Sequence, residues 1–168
     1  LEMKVYINLT AEQGAMYEQT VKDLMQRMQK LEGMERKGAI LGALTQLKQL
    51  CDHPMLLSKE AELAENMTQS EDGREALVQR SAKLERLVAM VDELRDEGDS
   101  CLIFTQYVGM GRMLADVLSK QRGEPVFYLN GSTPKQERDR MIERFQAADS
   151  DGPSIFVLSL KAGGVGLN

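Results

Sequence analysis

Three apolar runs punctuate the second half of the chain: Leu102-Ile-Phe-Thr-Gln-Tyr107, Val126-Phe-Tyr-Leu-Asn-Gly131, and a run that opens at Ile155. Each is too continuous for a strand with one wet face, so each predicts a parallel strand covered on both sides. Each also turns polar at its carboxyl end. The first ends in Thr105 and Gln106, the second in Asn130, Gly131, Ser132 and Thr133, and the third in Ser159, Lys161 and Ala162, followed by Gly163, Gly164 and Gly166. Parallel strands bring their carboxyl ends to one edge of the sheet, where ligands of open α/β sheets bind. Glycines let backbone N–H groups approach an anion closely. Taken singly, the last turn reads equally well as a glycine-rich link between strand and helix. The same design at three strand ends favours a phosphate-contacting site.

Between the strands the spacing is helical. Ser81 to Glu97 buries Leu84, Leu87, Val88, Val91 and Leu94 on one face, and Gly98 stops the helix. Val108 to Lys120 repeats the pattern with Met110, Met113, Leu114, Val117 and Leu118. Gly109-Met-Gly111 resembles part of a dinucleotide fingerprint but lacks its third glycine, so it reads as a helix start. Thr133-Pro-Lys-Gln136 predicts a capping box opening a helix to about Phe145 or Ala147, with Met141, Ile142, Phe145 and Ala148 as its buried stripe. Arg138 falls inside that stripe, near the ligand edge. It can reach a phosphate or pair with Asp139 or Glu143, and the first reading is preferred because a buried charge needs a partner.

The first third is built differently. Met3 to Leu9 alternates enough for a short strand. Thr10 and Gln13 form a capping box for a methionine-rich helix from Ala11 to about Leu31, whose stripe reads as core. A second helix spans roughly Glu35 to Cys51 and ends at Asp52-His53-Pro54, because the residue before proline leaves αR geometry. From Ser58 to about Arg80 the chain is polar and acidic, which predicts a solvated linker, at most with a short helix. The organisation expected is therefore residues 1–57 as strand and helical hairpin, 58–80 as acidic linker, and 81–168 as an α/β unit.

Composition narrows the chemistry. A chain of 168 residues holds one sizeable core, and its formal charge of −5 argues against a generally basic surface. A local basic groove fed by Lys135, Arg138, Arg140, Arg144 and Lys161 remains open to it. Without tryptophan and with few other aromatics, a stacking platform for single strands fits poorly. Cys51 and Cys101 are far apart and read as reduced core cysteines, as in a cytoplasmic protein. His53 is the only histidine, which argues against a zinc site or a serine triad, and no stretch is apolar enough to span a membrane.

Several blocks together carry a family resemblance. Leu47-Lys-Gln-Leu-Cys-Asp-His-Pro54 resembles a helix end of the Swi/Snf-family helicase-like ATPases. Ser81-Ala-Lys-Leu84 is similar to the helix opening their second RecA-like lobe, and Leu102-Ile-Phe-Thr-Gln-Tyr-Val108 to their motif IV. Tyr128-Leu-Asn-Gly-Ser-Thr-Pro134, with Arg138 and Phe145, resembles the next block, and Leu158 to Asn168 resembles motif V. The set is in family order and has a bacterial character. It implies a RecA-like parallel sheet flanked by helices, preceded by the helical hairpin and cut short at its C-terminal side. It also implies part of an ATP-driven motor that moves on duplex DNA in the cytoplasm, nucleoid-associated when bound. The missing N-terminal RecA-like lobe is a partner, as are RNA polymerase or other protein–DNA complexes.

By the same resemblance, Thr105, Gln106, Gly131, Ser132, Arg138, Ser159, Lys161 and Ala162 contact nucleic acid. Gly163, Gly164, Gly166 and Asn168 face the nucleotide between the lobes. ATP and Mg²⁺ are expected mainly on the first lobe, since no G-x-x-x-x-G-K-[ST] phosphate loop occurs and no acidic tetrad follows an apolar strand. The chain also ends before the family's arginine-bearing motif VI, so this stretch alone is expected neither to bind nor to hydrolyse ATP. Asn130 stands where many relatives carry aspartate. Two alternatives stay open: a phosphate-backbone-binding module without an ATP cycle, and a stand-alone nucleotide-binding α/β protein.

Overall fold

The computed structural model describes residues 1–58, 60–147 and 152–159. Eight helices and three strands lie among them, in the order α1 (Ala11–Met28), α2 (Gly33–Asp52), α3 (Met55–Ser58), α4 (Ala61–Met67), α5 (Glu71–Gln79), α6 (Ala82–Asp96), β1 (Cys101–Thr105), α7 (Val108–Arg122), β2 (Val126–Leu129), α8 (Lys135–Gln146) and β3 (Ile155–Ser159).

The sheet is parallel throughout, in the order β1-β3-β2. Central β3 shows why its sequence is a continuous apolar run: all five residues are buried. Ile155 and Val157 enter a core beneath α6 and α7, which Leu84, Val88, Val91, Met113, Val117 and Leu118 fill. Phe156 and Leu158 point the other way, under α8, where Leu129, Phe127, Met141, Ile142 and Phe145 close over them. Phe156 meets Phe127 and Phe145 edge-on at 5.8 and 5.4 Å between ring centroids, the arrangement aromatic quadrupoles favour. β1 departs from expectation. Ile103 and Thr105 are buried, but Leu102 and Phe104 are about half exposed, because α8 covers only the β2 and β3 side of that face among the described residues.

The helices over the sheet follow their sequence pattern. Ser81 caps α6 by accepting from the Leu84 N–H, and Gly98 takes a φ of +86° just past its end, a conformation that glycine adopts without a Cβ penalty. α7 begins at Val108, so the paired glycines are indeed part of a helix start.

Four further expectations fail. Met3 to Leu9 pairs with no strand among the described residues and is exposed throughout. The methionine stripe of α1 is not core: Gln13 is the helix's one buried residue, and Met25 is exposed. The segment expected as a solvated linker folds into α4 and α5, because its acidic residues occupy one side while Ala64 and Leu77 are buried with Met67 and Val78 packed behind them. Thr133 makes no capping box. Pro134 takes the cap position, and the Thr133 hydroxyl accepts the Asn130 N–H at 3.1 Å instead.

A polar junction ties the hairpin to the sheet unit. Gln13 donates from Nε2 to the Leu50 and Cys51 carbonyls at 2.9 and 3.4 Å, and its Oε1 accepts the Thr10 and Ala82 N–H groups at 3.2 and 3.3 Å. The Ser81 hydroxyl donates to the Asp52 carbonyl, Lys83 pairs with the Asp52 carboxylate at 2.9 Å, and Arg80 pairs with Glu12 at 2.9 Å. His53 is fully buried. Its Nδ1 accepts the Met55 N–H at 3.1 Å, so Nε2 carries the proton and donates to the Leu77 carbonyl at 2.8 Å.

Candidate nucleic-acid interface

Strand register assembles the site. Thr105 of β1 lies opposite Ser159 of β3, and Leu129 of β2 lies opposite Leu158. Three polar strand ends therefore meet on one edge, as the sequence predicts. Their side chains are not equally available. Thr105 and Ser159 are buried, whereas Gln106, Gly131 and Ser132 are exposed. What the edge offers a ligand is thus the amide of Gln106, the hydroxyl of Ser132 and the glycine backbone beside it.

The loop after β2 is held open by its own hydrogen bonds. Asn130 Oδ1 accepts the Ser132 N–H at 2.8 Å, and the Thr133 N–H donates to the Asn130 carbonyl at 3.2 Å. Those bonds occupy asparagine and threonine, and Ser132 is exposed.

Arg138, one turn into α8, is half-buried, and its Nε is buried without a hydrogen-bond partner among the described residues. No ion pair with Asp139 or Glu143 forms among those residues. A buried guanidinium N–H left without an acceptor is costly unless a ligand or water supplies one. Of the other basic residues, Arg144 is turned away from the edge, its guanidinium 5.7 Å from the Phe127 ring centroid, and Lys135 and Arg140 are exposed.

Sequence reading missed a neighbouring feature. A groove of about 810 Å³ runs between α2, α6 and β1 and reaches Thr105 and Gln106, with Lys48, Lys83 and Arg86 along it. Lys48 and Arg86 sit on helices assigned wholly to packing, and only the approach of α2 to α6 turns them toward the strand edge.

Six expected positions, Lys161, Ala162, Gly163, Gly164, Gly166 and Asn168, lie outside the described residues. Among the described residues, no cluster of three or more His, Cys, Asp or Glu side chains forms a metal site. No helix among them is long and apolar enough to cross a membrane. Cys51 and Cys101 are unpaired and half-buried, and desolvation raises both thiol pKa values.

Residues 82–168, more than half of the chain, match the sequence model of the family described as "Helicase conserved C-terminal domain". The chain belongs to that family. It is 49% identical over 168 residues to a Bacillus subtilis (strain 168) protein named as an ATP-dependent helicase/translocase, YwqA, covering all of this chain and 17% of that protein. It is 34% identical over 169 residues to the human SWI/SNF-related matrix-associated actin-dependent regulator of chromatin subfamily A member 1, covering 99% of this chain and 15% of that protein. The chain thus spans about a sixth of the length of these curated relatives. Among solved structures, the C-terminal domain of the Sulfolobus solfataricus SWI2/SNF2 ATPase superposes with a TM-score of 0.81 at 40% identity, covering 98% of this chain and 65% of that one. The same organism's ATPase core in complex with dsDNA gives 0.78 at 39% identity, covering 92% and 30%. The three-stranded parallel sheet with its flanking helices is accordingly the second, RecA-like lobe of the SWI/SNF type.

Proposed function

We propose that this chain is the phosphate-gripping second lobe of an ATP-driven motor that translocates on duplex DNA, and that its strand edge holds the tracked backbone. The observation that carries the reading is the convergence of three in-register strand ends on one edge, where Gln106 and the Gly131-Ser132 loop are exposed, together with the Nε of Arg138 one turn into α8, buried without a hydrogen-bond partner among the described residues. Neutral donors with isolated cations suit a machine that grips phosphate without reading bases. Likeness to an ATPase core solved with dsDNA supports duplex DNA as the ligand.

Gln106, Gly131, Ser132 and Arg138 contact the backbone directly. Thr105 and Ser159 shape the edge from beneath, and Lys161 and Ala162 extend it. Gly163, Gly164, Gly166 and Asn168 face the nucleotide held between this lobe and the N-terminal one. ATP supplies the energy of lobe closure, and Mg²⁺ accompanies it on the first lobe. The motor works in the cytoplasm on nucleoid DNA, where RNA polymerase and other DNA-bound complexes are its natural encounters.

The test is ATP hydrolysis by the whole protein with and without duplex DNA, alongside Lys161→Ala and Ser132→Ala. Stimulation by DNA that both variants weaken is the expected result, with no turnover by residues 1–168 alone. Hydrolysis indifferent to DNA would refute duplex DNA as the track. DNA binding with no hydrolysis at all would favour a backbone-binding module.

A further inference from the structure

The stretch Leu1–Leu9 sets apolar side chains at Leu1, Met3, Val5, Ile7 and Leu9, with Glu2, Lys4, Tyr6 and Asn8 between them. That is the period of a strand with one apolar face, and Val5, Tyr6 and Ile7 are good strand formers. The backbone is nevertheless unpaired. No hydrogen bond joins the main chain of residues 1–9 to any other described residue. The apolar side is bare as well, 75% exposed at Met3, 42% at Val5 and 37% at Leu9. Val5 and Ile7 reach the groove between α2, α6 and β1, but neither is buried in it. Nine extended residues make a strand of about 30 Å, with a row of free N–H and C=O groups along each edge. The strand then runs without slack into the polar junction. The Thr10 N–H donates to Gln13 Oε1, the atom that also accepts the Ala82 N–H at the start of α6, while Gln13 Nε2 holds the Leu50 carbonyl.

We infer that Leu1–Leu9 is a docking strand, which adds to the open edge of a β-sheet in the first lobe of the same protein and closes its apolar side onto that lobe. This rests on the motor reading proposed above. The first lobe is the occupant because this stretch corresponds to only 30% of the ATPase core solved with dsDNA, so most of such a core lies outside it. A second copy of the chain is a poorer occupant. Two Leu1–Leu9 strands would form an isolated two-stranded ribbon, which is marginal in water, whereas an existing sheet supplies both a ladder and a core. Alternating strand residues suit this mode of recognition: the backbone gives affinity and every second side chain gives specificity. Because Leu9 adjoins the Gln13 junction, the docked strand is a short link from the first lobe to the end of α2 and the start of α6. Movement of one lobe is thereby passed to the other.

The experiment uses the whole protein. Hydrogen exchange of the Leu1–Leu9 amides, resolved residue by residue, should show alternate amides slowed about 100-fold or more relative to a free chain, because only one edge of the strand is paired. The slowing should not change over a tenfold range of protein concentration. Carbodiimide coupling of Glu2 and Lys4, read by mass spectrometry, should link them to the first lobe. Val5→Asp combined with Ile7→Asp should release the slowed amides and cut the stimulation of ATP hydrolysis by duplex DNA about 5- to 10-fold, the scale of a typical coupling between sites. Free exchange throughout, slowing that grows with concentration (the mark of a second copy), or cross-links confined to residues 1–168 would each overturn the docking strand. Released amides with undiminished stimulation would overturn its role as a link. If hydrolysis by the parent is stimulated by DNA while these amides exchange freely, only this inference fails. If hydrolysis ignores DNA, the motor reading fails whatever the exchange shows.

Discussion

Gln13 offers the sharpest test of how the hairpin is attached. Helix α2 ends where its hydrogen-bond ladder meets Pro54, which has no N–H to give the Leu50 carbonyl. The next donor, the Met55 N–H, is taken by His53 Nδ1, so the Cys51 carbonyl also lacks its helical partner. Gln13 answers both from a helix far away in sequence, while its Oε1 accepts the Ala82 N–H in the first turn of α6. Its side chain is 0% exposed, so water cannot substitute. Gln13→Ala strands at least the Leu50 carbonyl and the Ala82 N–H. At about 1–3 kcal/mol per buried group left without a partner, and with the 3.3–3.4 Å bonds at the weak end, the expected loss is about 2–4 kcal/mol. Urea unfolding followed by circular dichroism should show it as a lower midpoint with an unchanged slope. Gln13→Glu should be worse than alanine at pH 7, because it sets a carboxylate against two carbonyls at the negative end of α2. Gln19→Ala, which removes only an exposed bond to Asp23, is the control. A Gln13→Ala loss under about 0.5 kcal/mol, indistinguishable from an ordinary surface substitution, would refute the reasoning.

The remaining expectations concern the same junction and its neighbours. Burial, the largest cause, lowers the His53 pKa, and Arg80 pushes the same way, while the bond to Leu77 and the Glu12 charge oppose them. Its folded pKa lies below the unfolded one, so its contribution is intact above pH about 6.5 and is lost as pH falls through the folded value. Urea midpoints measured between pH 7.5 and 5 should decline with a slope that His53→Gln abolishes. Leu77→Ala removes the buried anchor of α5 and should cost about 2–5 kcal/mol, while the parent should show slowed amide exchange across Glu71–Gln79. Rapid exchange there in the parent would contradict the packing of α5. Arg122 bridges Asp92 at 2.7 Å, Asp96 at 3.4 Å and Glu124 at 3.6 Å between the C-terminal ends of α6 and α7. Arg122→Met should lower the thermal midpoint measurably, and no change would show that the cluster is merely a surface feature.

Much of the sheet unit was legible because its signals are local or strictly periodic. Three apolar runs and the α6 and α7 stripes need no knowledge of distant contacts. The failures share a cause. The acidic stretch around Glu60–Asp72 reads as solvated on average, yet a single apolar side bearing Ala64, Met67 and Leu77 suffices to pack two short helices. Conversely, the methionines of α1 mimic a core stripe, although the one side chain the helix buries is the amide of Gln13. The capping box of Thr10 and Gln13 formed as expected, but the spacing that revealed it could not show that the same glutamine also ends α2. At the site, strand ends were legible and side-chain exposure was not. Whether Thr105 or Gln106 faces outward depends on which face α6 and α7 cover. The Tyr128–Gly111 contact, made between different elements, left no local pattern to read.

The strand order has a consequence for how the molecule comes into being. Among the described residues β1 and β2 do not pair with each other; each pairs with β3, the last of the three to be synthesised. Until Ser159 has left the ribosome, neither earlier strand has a partner within this sheet, and Phe156 and Val157 are missing from the centres of both cores. Helices can form early, but the sheet closes in a single late event around an inserted middle strand. Such non-local pairing is intrinsically slow. Nascent chains paused before Ile155 would carry two unpaired apolar strands, the species on which a holding chaperone would act.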